Sequence, residues 1–215
     1  MMRAYRTIPG EAAITLAGMV PFDHLAGVYA QIYWGSRGGN EQSQESAEEQ
    51  ECLKRRALKQ AQHRWKRELE QTGAMNKRVV GAILPNWEQW AETGPALLTY
   101  RITQVLTGHG CFSEYLKRIG AEETADCHHC SAGPDSAQHT LEHCEEQRRT
   151  FVTAIAPDLS PPAIISALLA GEGKRKAVTS FCEEVISLKE KAERERERII
   201  PGRRRGRRRR SPVEQ

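Results

Sequence analysis

Residues 127–144 read CHHCSAGPDSAQHTLEHC, a C-x2-C-x8-H-x4-C pattern closed within 18 residues. Zinc takes four soft or borderline ligands in a tetrahedron, and a C-x2-C turn delivers two thiolates at once. A later His and Cys close the set, so Cys127, Cys130, His139 and Cys144 are the expected ligands of one zinc ion. One alternative stays open. His143 follows His139 by four residues, the spacing of one α-helical face, which would give a Cys-Cys-His-His site. Cys144 is favoured because H-x4-C is an accepted second-pair spacing and thiolate is the stronger ligand. His128 and His129 sit inside the turn, point away from a metal held there, and are expected to face solvent or nucleic acid. Apart from Ala and the ligands, only Leu141 in this window is aliphatic, and no aromatic is present. Apolar burial cannot hold such a segment, and a metal is its natural organiser.

Across all 215 residues, hydrophobic content is 39% and aromatic content 6%, so any core is modest and mostly aliphatic. The six cysteines are an even number, which would suit disulfides in an oxidising compartment. The N-terminal apolar run does not support that compartment: Thr15 and Gly18 interrupt it and Pro21 follows, a poor signal sequence. No apolar stretch approaches the ~20 residues needed to span a bilayer. Cys52 and Cys182 fall in helical patterns and read as packing residues. The net charge of +4 is unevenly spread: residues 199–215 carry seven Arg and one Glu, or +6, leaving 4 − 6 = −2 for the other 198 residues. That tail has no apolar period and repels itself, so it is expected to be disordered. It would serve phosphate neutralisation or nuclear import, or be no more than solvated chain.

Periodicity along the chain predicts an all-α protein. A short helix is expected over residues 11–20 and a second over 21–33, with Phe22, Leu25, Val28, Tyr29 and Ile32 as one apolar face. GSRGGN at 35–40 reads as a breaker. A long charged helix over 45–71 carries Leu53, Ala57, Ala61, Trp65 and Leu69 at every fourth position, a narrow stripe suited to another helix or a protein partner. Val79–Leu84 would be a strand or an extended connector. Trp87 and Trp90 are a helical pair, able to stack bases but better explained as core. Gly94-Pro95 restarts a helix with Leu98, Ile102, Val105 and Leu106, broken by Thr107-Gly108-His109-Gly110, and Phe112–Ile119 forms a short one. A helix is expected from Ser136 past Cys144 to Ile155, another after Pro161-Pro162, and a last from Lys174 that dissolves into KEKAERERER. The expected divisions are 1–35 a helical connector, 36–44 a linker, 45–120 a helical region, 121–157 a Cys-Cys-His-Cys zinc-knuckle module, 158–198 C-terminal helices and 199–215 the basic tail.

No Gly-rich phosphate loop, HExxH, GxSxG or paired-aspartate polymerase signature is present, so no catalytic residue is assigned. Four stretches, AYRTIPGEAAITLAGMVPFDHLA, YRITQVLTGHGCFSEYLKRIG, CHHC…HTLEHC and FCEEVISLKEKAERERER, together resemble the C-terminal part of the reverse-transcriptase polyprotein of insect non-LTR retrotransposons of the ribosomal-DNA-inserting type. The resemblance runs from Ala4 to Arg198, and its most specific part is LTGHG-F-YL-G followed by the Cys/His cluster. It implies a non-catalytic, nucleic-acid-binding portion of an RNA-directed DNA polymerase, used when a nicked target primes reverse transcription. The polymerase and endonuclease acids have no counterpart, so a fragment or degenerate copy is expected. Element RNA and target DNA would be the partners, and the nucleus the site of action after cytoplasmic synthesis. Candidate nucleic-acid contacts are Lys117, Arg118, His128, His129, Arg148 and Arg149 around the metal. In the tail they are Arg203, Arg204, Arg205, Arg207, Arg208, Arg209 and Arg210. The alternative is a zinc-stapled helical module that binds protein, with the 45–71 stripe as docking face.

Overall fold

The computed structural model describes residues 7–37, 47–74, 77–144 and 159–199. Among them it is helical without strands, apart from one isolated antiparallel bridge between Asp126 and Pro134. Two compact units divide the chain: residues 1–98 with 161–170, and residues 99–160 with 171–215.

The first unit holds α1 (Gly10–Leu16), α2 (Phe22–Arg37), α3 (Ala47–Gln71), α4 (Arg78–Ile83), α5 (Trp87–Thr93) and α8 (Pro161–Leu169). Helix α2 packs along α3, and Ala57, Ala61, Trp65 and Leu69 are buried. Of the two occupants expected for this stripe, another helix or a protein partner, the chain supplies the helix. His24 Nε2 sits 3.0 Å from Glu68 Oε2, and its ring lies 5.9 Å from that of Trp65. The expected apolar face of α2 is divided. Val28 is buried and Leu25 and Ile32 half-buried, whereas Phe22 is 79% and Tyr29 64% exposed. On a 3.6-residue turn Phe22 and Tyr29 align on a stripe of their own, beside the one facing α3. Gly35–Arg37 continues α2 instead of breaking it.

Val79–Leu84 is not a strand. Val79, Val80, Ala82 and Ile83 are buried in α4, which packs on α1 and α8 and runs into a 3-10 turn at Leu84–Asn86. Burial on several sides overrides the β preference of its branched residues. Trp87 and Trp90 are both buried, so neither is presented for base stacking. Trp90 Nε1 donates to the Thr15 carbonyl at 3.1 Å. Its ring also explains Gly94: a Cβ there would lie 2.2 Å from Trp90 Cδ2, so only glycine lets the chain pass. The Gly94-Pro95 segment makes a 3-10 turn, and the following helix starts at Tyr100, two residues beyond Leu98.

The second unit holds α6 (Tyr100–Thr107), α7 (Ser113–Arg118), the Cys/His segment and α9 (Glu172–Ile199). Thr99 caps α6, accepting from Ile102 N at 3.2 Å, and Gly108 ends it in the left-handed region at φ +68°. Helices α6 and α9 pack together, with Ile102, Val105 and Leu106 buried on one and Val178, Phe181, Cys182, Val185 and Ile186 on the other. Polar groups line their edge. Thr99 Oγ1 lies 2.6 Å from Glu183 Oε1, and Arg101 reaches Glu183 at 2.8 Å and Glu190 at 3.0 Å. Helix α9 does not dissolve after Leu188; it continues to Ile199, with Lys189 buried.

Candidate metal centre

The Cys/His segment is built on α7. After Arg118, Gly120 turns the chain at φ +73°, and Ala121 and Glu122 donate back to the Leu116 carbonyl at 2.8 and 3.3 Å. A narrow clamp then forms: Asp135 N donates to the Ala125 carbonyl at 2.6 Å and Cys127 N to the Gly133 carbonyl at 3.0 Å. Inside it, Ser131 N donates to the Cys127 carbonyl at 2.9 Å, and Ser131 itself takes φ +55°. This tight reversal brings the two thiols of the C-x2-C turn to one side.

The second pair comes from a helical turn that is not α. Ser136 Oγ accepts from His139 N at 3.0 Å and starts it. Residues 139–143 then wind as a π-helix, and Cys144 N donates to the His139 carbonyl at 2.7 Å, a bond spanning five residues. The expected α-helix through Cys144 is therefore replaced by a wider turn that stops there, and residues 145–158 lie outside the described residues. An α-turn faces residues four apart; a π-turn faces residues five apart. That widening lets His139 and Cys144 meet.

The candidate ligand atoms of Cys127, Cys130, His139 and Cys144 all lie within 4.8 Å of one another. Cys127 Sγ is 3.9 Å from Cys144 Sγ, and Cys130 Sγ is 3.2 Å from His139 Nε2. A tetrahedron with zinc–sulfur bonds of about 2.3 Å and zinc–nitrogen bonds of about 2.0 Å separates such atoms by about 3.5–3.8 Å. The spacing thus suits a metal of zinc's size, and the donor set suits a soft or borderline ion. Cys127, Cys144 and His139 are buried and Cys130 half-buried. Burial holds the His139 imidazole below its ordinary value, against the pull of the Asp135 carboxylate, so it is neutral and its lone pair is available near pH 7. Burial pushes the Cys111 and Cys182 thiols up to about 12, which marks them as packing residues.

An ion pair absent from the sequence expectations holds the segment in place. Asp135 and Lys189 are both buried, with Lys189 Nζ 2.6 and 2.7 Å from the two carboxylate oxygens. The same carboxylate accepts from Ser113 N at 3.0 Å, Ser113 Oγ at 3.2 Å and Thr140 Oγ1 at 3.0 Å. One side chain therefore joins the start of α7, the π-turn and α9. A signal existed in the sequence: Lys189 follows Val185 by four and Ile186 by three, on the buried stripe of α9.

The expected nucleic-acid contacts have different fates. Lys117 and Arg118 are exposed at the end of α7. Arg118 is held in place, its Nη2 3.4 Å from His109 Nε2 and its guanidinium 5.2 Å over the Tyr115 ring. His109 Nδ1 lies 2.9 Å from the Thr107 carbonyl, so Nδ1 carries the proton and Nε2 accepts from Arg118. Gly110 positions this histidine at φ +138°, where a Cβ would meet Gln104 Oε1 at 2.3 Å. His128 is exposed, its Nε2 3.8 Å from the buried Glu122, which also faces Arg196 at 3.6 Å. His129 is half-buried. His143 is outside the four-atom cluster, and its ring stacks on that of His139 at 6.4 Å. Arg148, Arg149, Arg203–Arg205 and Arg207–Arg210 lie outside the described residues.

Compared with family models, curated proteins and solved structures, the chain matches none.

Proposed function

We propose that this chain is a zinc-organised, non-catalytic nucleic-acid-binding protein, akin to the C-terminal part of a non-LTR retrotransposon reverse transcriptase, acting on element RNA and target DNA in the nucleus. The observation that carries it is the convergence of three thiols and one imidazole within 4.8 Å. Four protein ligands fill a tetrahedron and leave no position for substrate, so the zinc would be structural. Beside it, the module presents Lys117 and the pre-oriented guanidinium of Arg118. A fixed guanidinium loses less entropy on meeting a phosphate than a free one. The sequence resemblance supplies the retrotransposon context.

The test is binding of single-stranded RNA and duplex DNA by the whole chain across a salt series, with and without chelator. Binding to single-stranded RNA is expected to require the metal. Arg118→Ala is expected to lower the salt slope on single-stranded RNA by about 0.7, the share of one neutralised phosphate. RNA affinity indifferent to both chelator and Arg118→Ala would leave the module as a staple for protein contacts.

A further inference from the structure

The chain minus its tail is close to neutral, but the average hides a local concentration. Residues 54–67, KRRALKQAQHRWKR, hold seven Lys or Arg and no Asp or Glu. All of them lie in α3. The buried stripe Ala57, Ala61, Trp65, Leu69 repeats every fourth residue. Two positions before each stand Arg55, Lys59, His63 and Arg67, which is the opposite side of the helix, and all four are exposed. Arg56 and Arg64, also exposed, widen this ridge on one flank and Lys54 on the other.

Among the described residues, Lys66 alone of the seven has a carboxylate partner, Glu88 at 2.9 Å. The other six have no ion-pair partner among the described residues. Like charges meet at i, i+4 in Arg55 and Lys59 and at i, i+3 in Arg56 and Lys59 and in Arg64 and Arg67, each such pair costing about 0.2–0.5 kcal/mol. Helix α9 shows how this chain builds a solvated charged helix. Its charges alternate in sign, with Lys176 2.7 Å from Glu172 and Arg194 3.5 Å from Glu190. Helix α3 keeps its acids at the two ends, Glu48, Glu49 and Glu51 before the run and Glu68 and Glu70 after it.

We propose that the outer face of α3 is a second nucleic-acid contact, a ridge for the phosphate backbone carried by the unit that lacks the metal. Thirteen rises of about 1.5 Å make it about 20 Å long, enough to face about six phosphates of one strand or twelve of a duplex. Duplex DNA is the favoured occupant, because a straight rigid row of cations matches a rigid row of phosphates. An anionic membrane fits less well: helices that lie on bilayers insert an apolar face, and that of α3 is already buried. The proposal extends the nucleic-acid reading above but does not depend on the metal site.

The test uses the full chain and the fourfold variant Arg55→Gln, Lys59→Gln, Arg64→Gln, Arg67→Gln, all at exposed positions. On duplex DNA the slope of log affinity against log salt is expected to fall by about 3–4, at about 0.9 for each phosphate no longer neutralised. The pair Arg55→Gln, Lys59→Gln should reduce it by about half as much, and it serves if the fourfold variant misfolds, as circular dichroism would show. An unchanged slope in variants of native helicity overturns the proposal. Loss of binding on chelation with an unchanged slope in the variants sinks the ridge and leaves the zinc module. A reduced slope with indifference to chelator does the reverse. Capture by vesicles containing phosphatidylserine that the variant loses, with its DNA slope unchanged, assigns the ridge to membranes and also overturns the proposal. No binding of the full chain to either nucleic acid at low salt removes both readings.

Discussion

Chelation of the purified chain is expected to unfold the unit that carries Cys127–Cys144. Structural zinc sites supply about 10–16 kcal/mol of apparent binding free energy near neutral pH. Whole domains are stable by only about 5–15 kcal/mol. Within the window, Leu141 is the main apolar side chain buried, worth about 2–3 kcal/mol. The cysteines report the outcome. Cys52 is exposed, while Cys111, Cys127, Cys144 and Cys182 are buried and Cys130 half-buried. With metal bound, Cys52 alone should react quickly with a thiol reagent. If chelation only frees the site, Cys127, Cys130 and Cys144 should join it. If the unit unfolds, Cys111 and Cys182 should react as well, and that is the expected result. All four tryptophans, Trp34, Trp65, Trp87 and Trp90, belong to the other unit, so their fluorescence should stay near its starting value. Cys130→Ser should reproduce the chelated state without chelator. A thiol count unchanged by chelation would mean that no metal organises this segment.

Replacing Asp135 by Ala is expected to cost about 3–5 kcal/mol, because Lys189 would be left buried with no counterion. For a unit of this size that lowers the melting temperature by about 12 °C or more. The double variant Asp135→Ala, Lys189→Met should recover much of the loss, since it removes the charge along with its partner. The pair also sets an acid limit. Burial pushes the Asp135 carboxyl up, but the charge and hydrogen bonds of Lys189, with those from Ser113 and Thr140, outweigh it and hold the group below the ordinary carboxylate range. A lowered folded value means stability that is complete above the unfolded value of about 3.9 and lost as pH falls through the folded one. The wild type should therefore lose stability below about pH 4, and the double variant should be flatter across that window. Equal stability of Asp135→Ala and wild type in urea would show that the pair is solvated in solution.

What could be read without a structure depended on how local its cause was. Helix α3 and the stripe Ala57–Leu69 follow from period alone. The break after Thr107 follows from Gly108 and Gly110. The clustering of Cys127, Cys130, His139 and Cys144 was legible because metal chemistry restricts the spacing of a ligand set. The π-turn was not, since its extra residue per turn is set by where His139 and Cys144 must meet. Val79–Ile83 misleads because branched residues favour strands until packing on several sides decides otherwise. The division of α2 into a covered and an exposed stripe needs the position of α3. Lys189 reads as one more charge in a charged helix, although its place on the stripe marks it. The ridge on α3 is hidden when charge is averaged over 198 residues in place of 14.

The π-turn has a consequence for lineage. A wide turn of this kind is an α-turn with one residue added. Deleting the exposed His143 would shorten H-x4-C to H-x3-C and let an ordinary α-turn face the same two ligands. The module is thus expected to tolerate this length change, and zinc content of the His143-deleted chain would read it directly. If the deleted chain keeps its zinc, descendants of one ancestral segment could differ by a residue inside the motif, and a search keyed to one fixed spacing would divide a single kindred into two.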